Sequence, residues 1–154
     1  MRFRIAAGLT AVLLAASSAA AKPLPGGVTA TEVAQALKAV GFETATSKDG
    51  AGDPMITVTG RGAPFRVYFF GCERERCTSY QMALVLKPKE KPTYANVNSW
   101  NEERRFGRAF LDGDMNPNLH MDVDAEKGFT SDALAVHLET WIRMAPNFEG
   151  YFGR

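Results

Sequence analysis

The sequence predicts an α+β domain, a mostly antiparallel sheet with three helices in the order α-β-β-β-β-α-β-β-α. Three observations predict it. Thr29-Ala30-Thr31-Glu32 forms a capping box, in which two side chains satisfy backbone N–H groups that a helix start leaves orphaned. From Phe42 to Asp124, short β-branched and aromatic runs are punctuated by Gly, Asp and Pro turns. Near the C-terminus, Leu134, Leu138, Trp141, Ala145, Phe148 and Phe152 recur at spacings of four and three, one apolar stripe along a helix.

Each element has its own warrant. Ala30, Val33, Leu37 and Val40 repeat at helical spacing behind the capping box, and Gly41 supplies the stop. Phe42 to Ser47 and Met55 to Thr59 read as strands, joined by a turn at Lys48 to Asp53. Phe65 to Phe70 is apolar at nearly every position, the mark of a strand buried on both faces or one whose outer face meets a partner. Thr78 to Lys87 returns as a further strand, and Lys87 to Pro92 is a charged, Pro-bounded crossover. The second helix is expected from about Thr93 to Arg105, with Gly107 ending it. Arg108 to Asp112 is a strand and Gly113-Asp114 a turn. Leu119 to Asp124 then alternates cleanly, Leu119, Met121 and Val123 on one face and His120, Asp122 and Asp124 on the other. The last helix starts near Thr130, and Pro146 predicts a kink or short break, because proline removes a backbone donor and crowds the carbonyl of Ile142.

Residues 1–21 read as a signal peptide rather than as part of the domain. Arg2 and Arg4 precede a short apolar run, Ile5 to Ala16, and Ala19-Ala20-Ala21 offers a small-residue cleavage site before Lys22. The run is shorter than the roughly 20 residues a membrane span needs, so no insertion is expected after cleavage. The expected location is periplasmic or secreted. Residues 22–27 (KPLPGG) read as a flexible arm, and 28–152 as a single domain.

Without Arg2 and Arg4 the chain carries 16 basic and 17 acidic residues, a net of −1. Such a balance gives no field for nucleic acid. In an oxidising compartment Cys72 and Cys77 are expected to form a disulfide across a charged turn, and a lone C-x4-C without further ligands is not a zinc site.

The stretch Asn98 to Asp114 combines a helix end, a tight exit and a strand start. Asn101 and Arg105 lie four apart on one side of the helix, so with Trp100 and Arg108 they could line a ligand site. Alternatively they hold a structural corner, with Arg105 paired to a carboxylate such as Asp112 through bidentate hydrogen bonds. The structural corner is the expected reading, since polar groups at a partly buried corner must be satisfied.

The run Trp100 to Asp112 (WNEERRFGRAFLD) resembles the signature of the YbjN family, small bacterial proteins described as sensory transduction regulators. Gly52 to Ile56, Phe69 to Cys72 with Cys77 to Ser79, and Leu119 with Met121 to Val123 fit the same resemblance in order and spacing. The resemblance implies a type III secretion chaperone-like fold, and it brings no catalytic residues with it.

No catalytic constellation stands out in the residues themselves. Asp112-Gly113-Asp114 begins like a calcium loop, but Pro117 stands where the sixth-position glycine belongs and Val123 where the bidentate glutamate belongs. His120, Asp122 and Asp124 read as a solvated sheet face rather than as acid–base machinery. The expectation is a non-enzymatic module without a cofactor, binding a protein or peptide and homodimeric through its sheet or a helix. The alternative is an extracytoplasmic sensor of a small ligand or envelope signal, using a pocket around Trp100, Asn101 and Arg108.

Overall fold

The computed structural model describes residues 20–153; the predicted signal peptide lies almost wholly outside the described residues. Helix α1 (Ala30–Ala39) is followed by strands β1 (Glu43–Lys48), β2 (Pro54–Thr59), β3 (Phe65–Glu73) and β4 (Arg76–Val85). Helix α2 (Tyr94–Glu103), strands β5 (Arg108–Leu111) and β6 (Pro117–Asp124), and helix α3 (Ser131–Phe152) complete the chain. The strands form one six-stranded sheet in the order β1-β2-β3-β4-β6-β5, antiparallel throughout. The predicted fold class and element order are those observed.

Local chemistry explains the helix starts. Thr29 and Glu32 form the expected capping box, and Thr93 with Asn96 forms a second at α2, while the Thr130 hydroxyl caps α3. Pro146, where a kink or short break is expected, lies inside a continuous helix. Trp141, Ala145, Phe148 and Phe152 are all buried on either side of it. Their burial is worth more than the single backbone bond that the proline forfeits.

The core lies on one side of the sheet. Ile56, Val58, Phe65, Val67, Phe69, Tyr80, Met82, Leu84, Leu119, Met121 and Val123 point to that side and meet α1 and α3. Phe65 to Phe70, read from sequence as buried on both faces or as having an outer face that meets a partner, alternates, so it is not buried on both faces within this chain. Phe65, Val67 and Phe69 are buried, while Arg66 and Phe70 are exposed and Tyr68 is half-buried.

The arm of residues 22–27 is a correction to the sequence reading. It is docked, not loose. The Leu24 side chain is buried and its N–H donates to the Phe129 carbonyl at 2.8 Å. Val28 and Cys77 exchange backbone bonds of 3.0 and 2.9 Å, and Lys22 and Ser131 are bonded through both backbone and hydroxyl. A Pro/Gly segment has no periodicity to reveal this; one buried leucine and paired backbone groups hold it.

Cys72 and Cys77 form a disulfide between directly opposed positions of the β3–β4 hairpin. Arg76, next to the hairpin turn, donates to the Gly27 carbonyl and pairs with Glu32 at 3.1 Å, so one guanidinium ties the hairpin to both the arm and α1. Burial pushes the Glu32 carboxyl up, but hydrogen bonds from Thr29 and the charge of Arg76 outweigh it and hold the group below its ordinary value. The disulfide closes a short loop, so Cys72→Ser is expected to lower stability by about 2 kcal/mol without unfolding the protein. Urea melts of the oxidised protein and the variant check this; equal midpoints would show that Arg76 and the arm hold the hairpin alone.

Candidate functional site

Residues 98–114 do form a corner, but its residues separate into different tasks. Trp100 is 1% exposed and packs against Phe148, Tyr151 and Phe152 of α3, with ring centroids 5.3 to 5.9 Å apart. Asn101 reaches from α2 to the free edge of β5. Its Nδ2 donates to the Ala109 carbonyl at 3.0 Å and its Oδ1 accepts from the Ala109 N–H at 2.9 Å. A side-chain amide thus takes the hydrogen bonds that a further strand would make at that position.

The expected Arg105–Asp112 pair is not there. Among the described residues no carboxylate lies within ion-pair distance of Arg105, whose guanidinium sits 4.9 Å from the ring of the exposed Phe106. Asp112 is engaged within its own turn, accepting from the backbone N–H of Asp114 and Asn116 and from the Asn116 side chain. The Asn116 backbone bond, followed by the others, holds its carboxyl below the ordinary value. Four residues of extended backbone carry the chain away from α2 between Arg108 and Leu111, and a tight turn claims the carboxylate locally.

Gly107 also has a different task from the one expected. The helix stops at Glu103, with Arg104 extended as its cap. A Cβ on Gly107 would lie 2.6 Å from Met144 Sδ and 2.9 Å from a Leu119 methyl, so the missing side chain lets this loop sit against α3 and the sheet. Phe106 just before it adopts φ 73°, an unusual conformation for an aromatic residue.

Arg108 lies on the other side of the sheet, 3.6 Å from Asp122. The structure therefore does not bring Trp100, Asn101, Arg105 and Arg108 around one pocket: the first is core, the second an edge plug, the third a solvated loop residue and the fourth part of the outer sheet face.

That outer face is the feature the sequence reading did not resolve. Register places Met55, Tyr68, Gln81 and Asp122 side by side in one cross-strand row, and Thr57, Arg66, Ala83, His120 and Arg108 in the next. Phe70, Ser79 and Asp124 form a row at one end, and Val85, Asn118 and Phe110 one at the other. Phe70 is 44% exposed, Val85 45% and Phe110 36%. A concave surface of about 740 Å³ runs across β2, β3, β4 and β6 between Thr57 and His120. Its sequence signals were the near-continuous apolar run of β3 and the alternation of β6, which puts His120, Asp122 and Asp124 on one face.

His120 and Asp122 share this face, as their alternation predicts, but they do not form an acid–base pair. Asp122 accepts from the Gln81 amide and pairs with Arg108. His120 stacks edge-on against Phe110 at 4.8 Å, and its Nδ1 is buried without a hydrogen-bond partner. Burial, then the charge of Arg108, push its imidazole below the ordinary value, with Asp122 opposing them. Among the described residues no three His, Cys, Asp or Glu side chains group to hold a metal ion, and no helix is long and apolar enough to cross a membrane.

A single sheet with helices on one face and an open, mixed apolar and charged surface on the other defines a small one-sided α+β domain with an uncovered sheet face. The chain belongs to the YbjN family: the family model described as "Putative bacterial sensory transduction regulator" matches residues 29–154. No individual curated protein matches it.

Proposed function

We propose that this member of the YbjN regulators is a non-enzymatic module, exported by cleavage after Ala21, that acts by binding a protein or peptide through its outer sheet face. The observation that carries the reading is the exposure of Phe70, Val85 and Phe110 on one open face. Large apolar side chains left exposed at both ends of a sheet face that no helix covers support an interaction site there. The chaperone-like fold implied by the family resemblance agrees with it by analogy. The sensor alternative finds no support at Trp100, Asn101 and Arg108, which do not share a pocket. A cavity of about 280 Å³ between α3 and the β2–β3 turn, lined by Phe42, Phe65 and Trp141 among others, is the better candidate for it.

One experiment tests export and binding together. A photo-crosslinking residue at Val85, in the full-length chain expressed in its native cells, should yield a protein adduct whose mature component begins Lys-Pro-Leu-Pro. The same label at Glu139, on an exposed face of α3, should yield none. Retention of the full 154-residue mass would overturn export, and equal adducts at both positions would overturn the assignment of the face.

A further inference from the structure

We infer that the cavity between α3 and the β2–β3 turn binds a small zwitterion, an α-amino acid with an uncharged aromatic side chain. This goes beyond the reading of the outer sheet face and gives the sensor alternative a ligand class. Phe42, Phe65, Trp141 and Ala145, all buried, supply apolar walls around about 280 Å³. Phe65 meets Phe42 edge-on with ring centroids 5.6 Å apart and lies tilted against Trp141 at 5.3 Å, so three rings brace one another. The space falls just short of the roughly 300 Å³ at which pockets for drug-sized ligands begin, so its occupant is small.

The charges at this cavity choose the ligand. Arg61 and Glu149 both border it, and neither has an ion-pair partner among the described residues. Each is held in place by other means. Arg61 donates through Nη1 to the Val40 carbonyl at 3.0 Å and lies over the Phe42 ring, 5.6 Å from its centroid. Glu149 accepts from the Ala63 N–H at 2.9 Å through Oε1. Gly62, at φ 66°, makes room for that contact, since a Cβ there would lie 2.7 Å from the same oxygen. The second carboxylate oxygen and the remaining guanidinium N–H groups keep their capacity for a ligand.

Two neutral groups add to this. The indole N–H of Trp141 is buried without a hydrogen-bond partner, a donor for a side chain that carries an acceptor, as tyrosine does. Pro146, with no N–H, cannot bond the carbonyl of Ile142, and both residues border the cavity. Side chains that bond back onto α3 reach the Ala133, Val136 and Arg143 carbonyls instead. A purely anionic ligand would set Glu149 against it, and a purely cationic one Arg61. A carboxylate and an ammonium on one carbon suit both, with Arg61 taking the first and Glu149 the second.

NMR titration of the purified protein, disulfide intact, with L-tyrosine tests the inference. The Trp141 indole N–H signal should move and saturate, while that of Trp100, the other tryptophan, stays still. Tyramine, which lacks the carboxylate, and hydroxyphenylpropionate, which lacks the ammonium, should each bind about tenfold more weakly or worse, the loss of one charged partner. Glu149→Gln keeps an acceptor for Ala63 and should weaken tyrosine similarly while leaving hydroxyphenylpropionate within a few-fold. Arg61→Gln should do the reverse, sparing tyramine. No saturable Trp141 shift with tyrosine, or equal shifts of both indoles, overturns the site. Tyramine or hydroxyphenylpropionate binding as tightly as tyrosine overturns the zwitterion, whether or not the variants fold. None of these readouts involves the outer sheet face, so the two readings stand or fall separately.

Discussion

Trp100→Ala is expected to remove about 3–5 kcal/mol of stability, the cost of deleting a large aromatic side chain from a packed core. The ring is almost wholly buried between α2 and α3 and contacts three aromatic rings there. Its neighbours in the same signature should behave differently. Asn101→Ala leaves the Ala109 N–H and carbonyl without their partner, a loss of about 1–3 kcal/mol, moderated because water can reach the exposed β5 edge. Arg105→Ala should change stability by no more than about 0.5 kcal/mol, since the side chain is exposed and, among the described residues, has no ion-pair partner. Arg105→Ala and Asp112→Ala should add, because the two groups share no contact. Urea melts of the wild type, the four single variants and the Arg105→Ala/Asp112→Ala double variant decide the matter. A large Arg105→Ala loss, or strong coupling to Asp112, would restore the pair that the structure separates.

Gly27→Ala should be nearly as damaging, at about 3 kcal/mol. Gly27 holds φ 107°, where a side chain costs roughly 1–2 kcal/mol, and a Cβ there would overlap the carbonyl oxygen of Cys77. That carbonyl accepts the bond that docks Val28, so the methyl group and the arm cannot both keep their places. Gly26→Ala is the matched control. Its φ is 73° with nothing within 4 Å of an added Cβ, so it should show the conformational cost alone. Hydrogen exchange at Leu24 and Val28 should rise sharply in Gly27→Ala and little in Gly26→Ala. Equal behaviour of the two variants would mean that the arm contributes no stability.

What the sequence made legible was local or periodic. Thr29 and Glu32 cap a helix from three residues apart, and the alternation of Leu119 to Asp124 needs only the pleat of a strand to be read correctly. The six-element core stripe of α3 survived even Pro146. What stayed hidden needed contacts distant in sequence. Leu24 is a lone apolar residue between prolines, and only Phe129, about a hundred residues away, gives it somewhere to go. Arg105 and Asp112 look like natural partners on charge alone, yet the turn after β5 satisfies the carboxylate first. Asn101 stands out in the sequence, but as a ligand contact or as part of a structural corner. Its imitation of a strand backbone became visible only when β5 was set beside it. Gly107 was assigned to ending a helix because nothing in the sequence places Met144 against it.

The amide of Asn101 also bears on how this domain can fail to stay soluble. A sheet grows into a fibre by head-to-tail addition only if each unit offers two receptive margins, one to give and one to take. Here the β5 margin is stoppered at Ala109 by a side chain from the same molecule, while β1 at the opposite margin carries no neighbouring strand among the described residues. Two molecules could join β1 to β1, but the product would present only stoppered ends, so the chain reaction stops at the first step. A single asparagine thereby makes runaway polymerisation a self-terminating event.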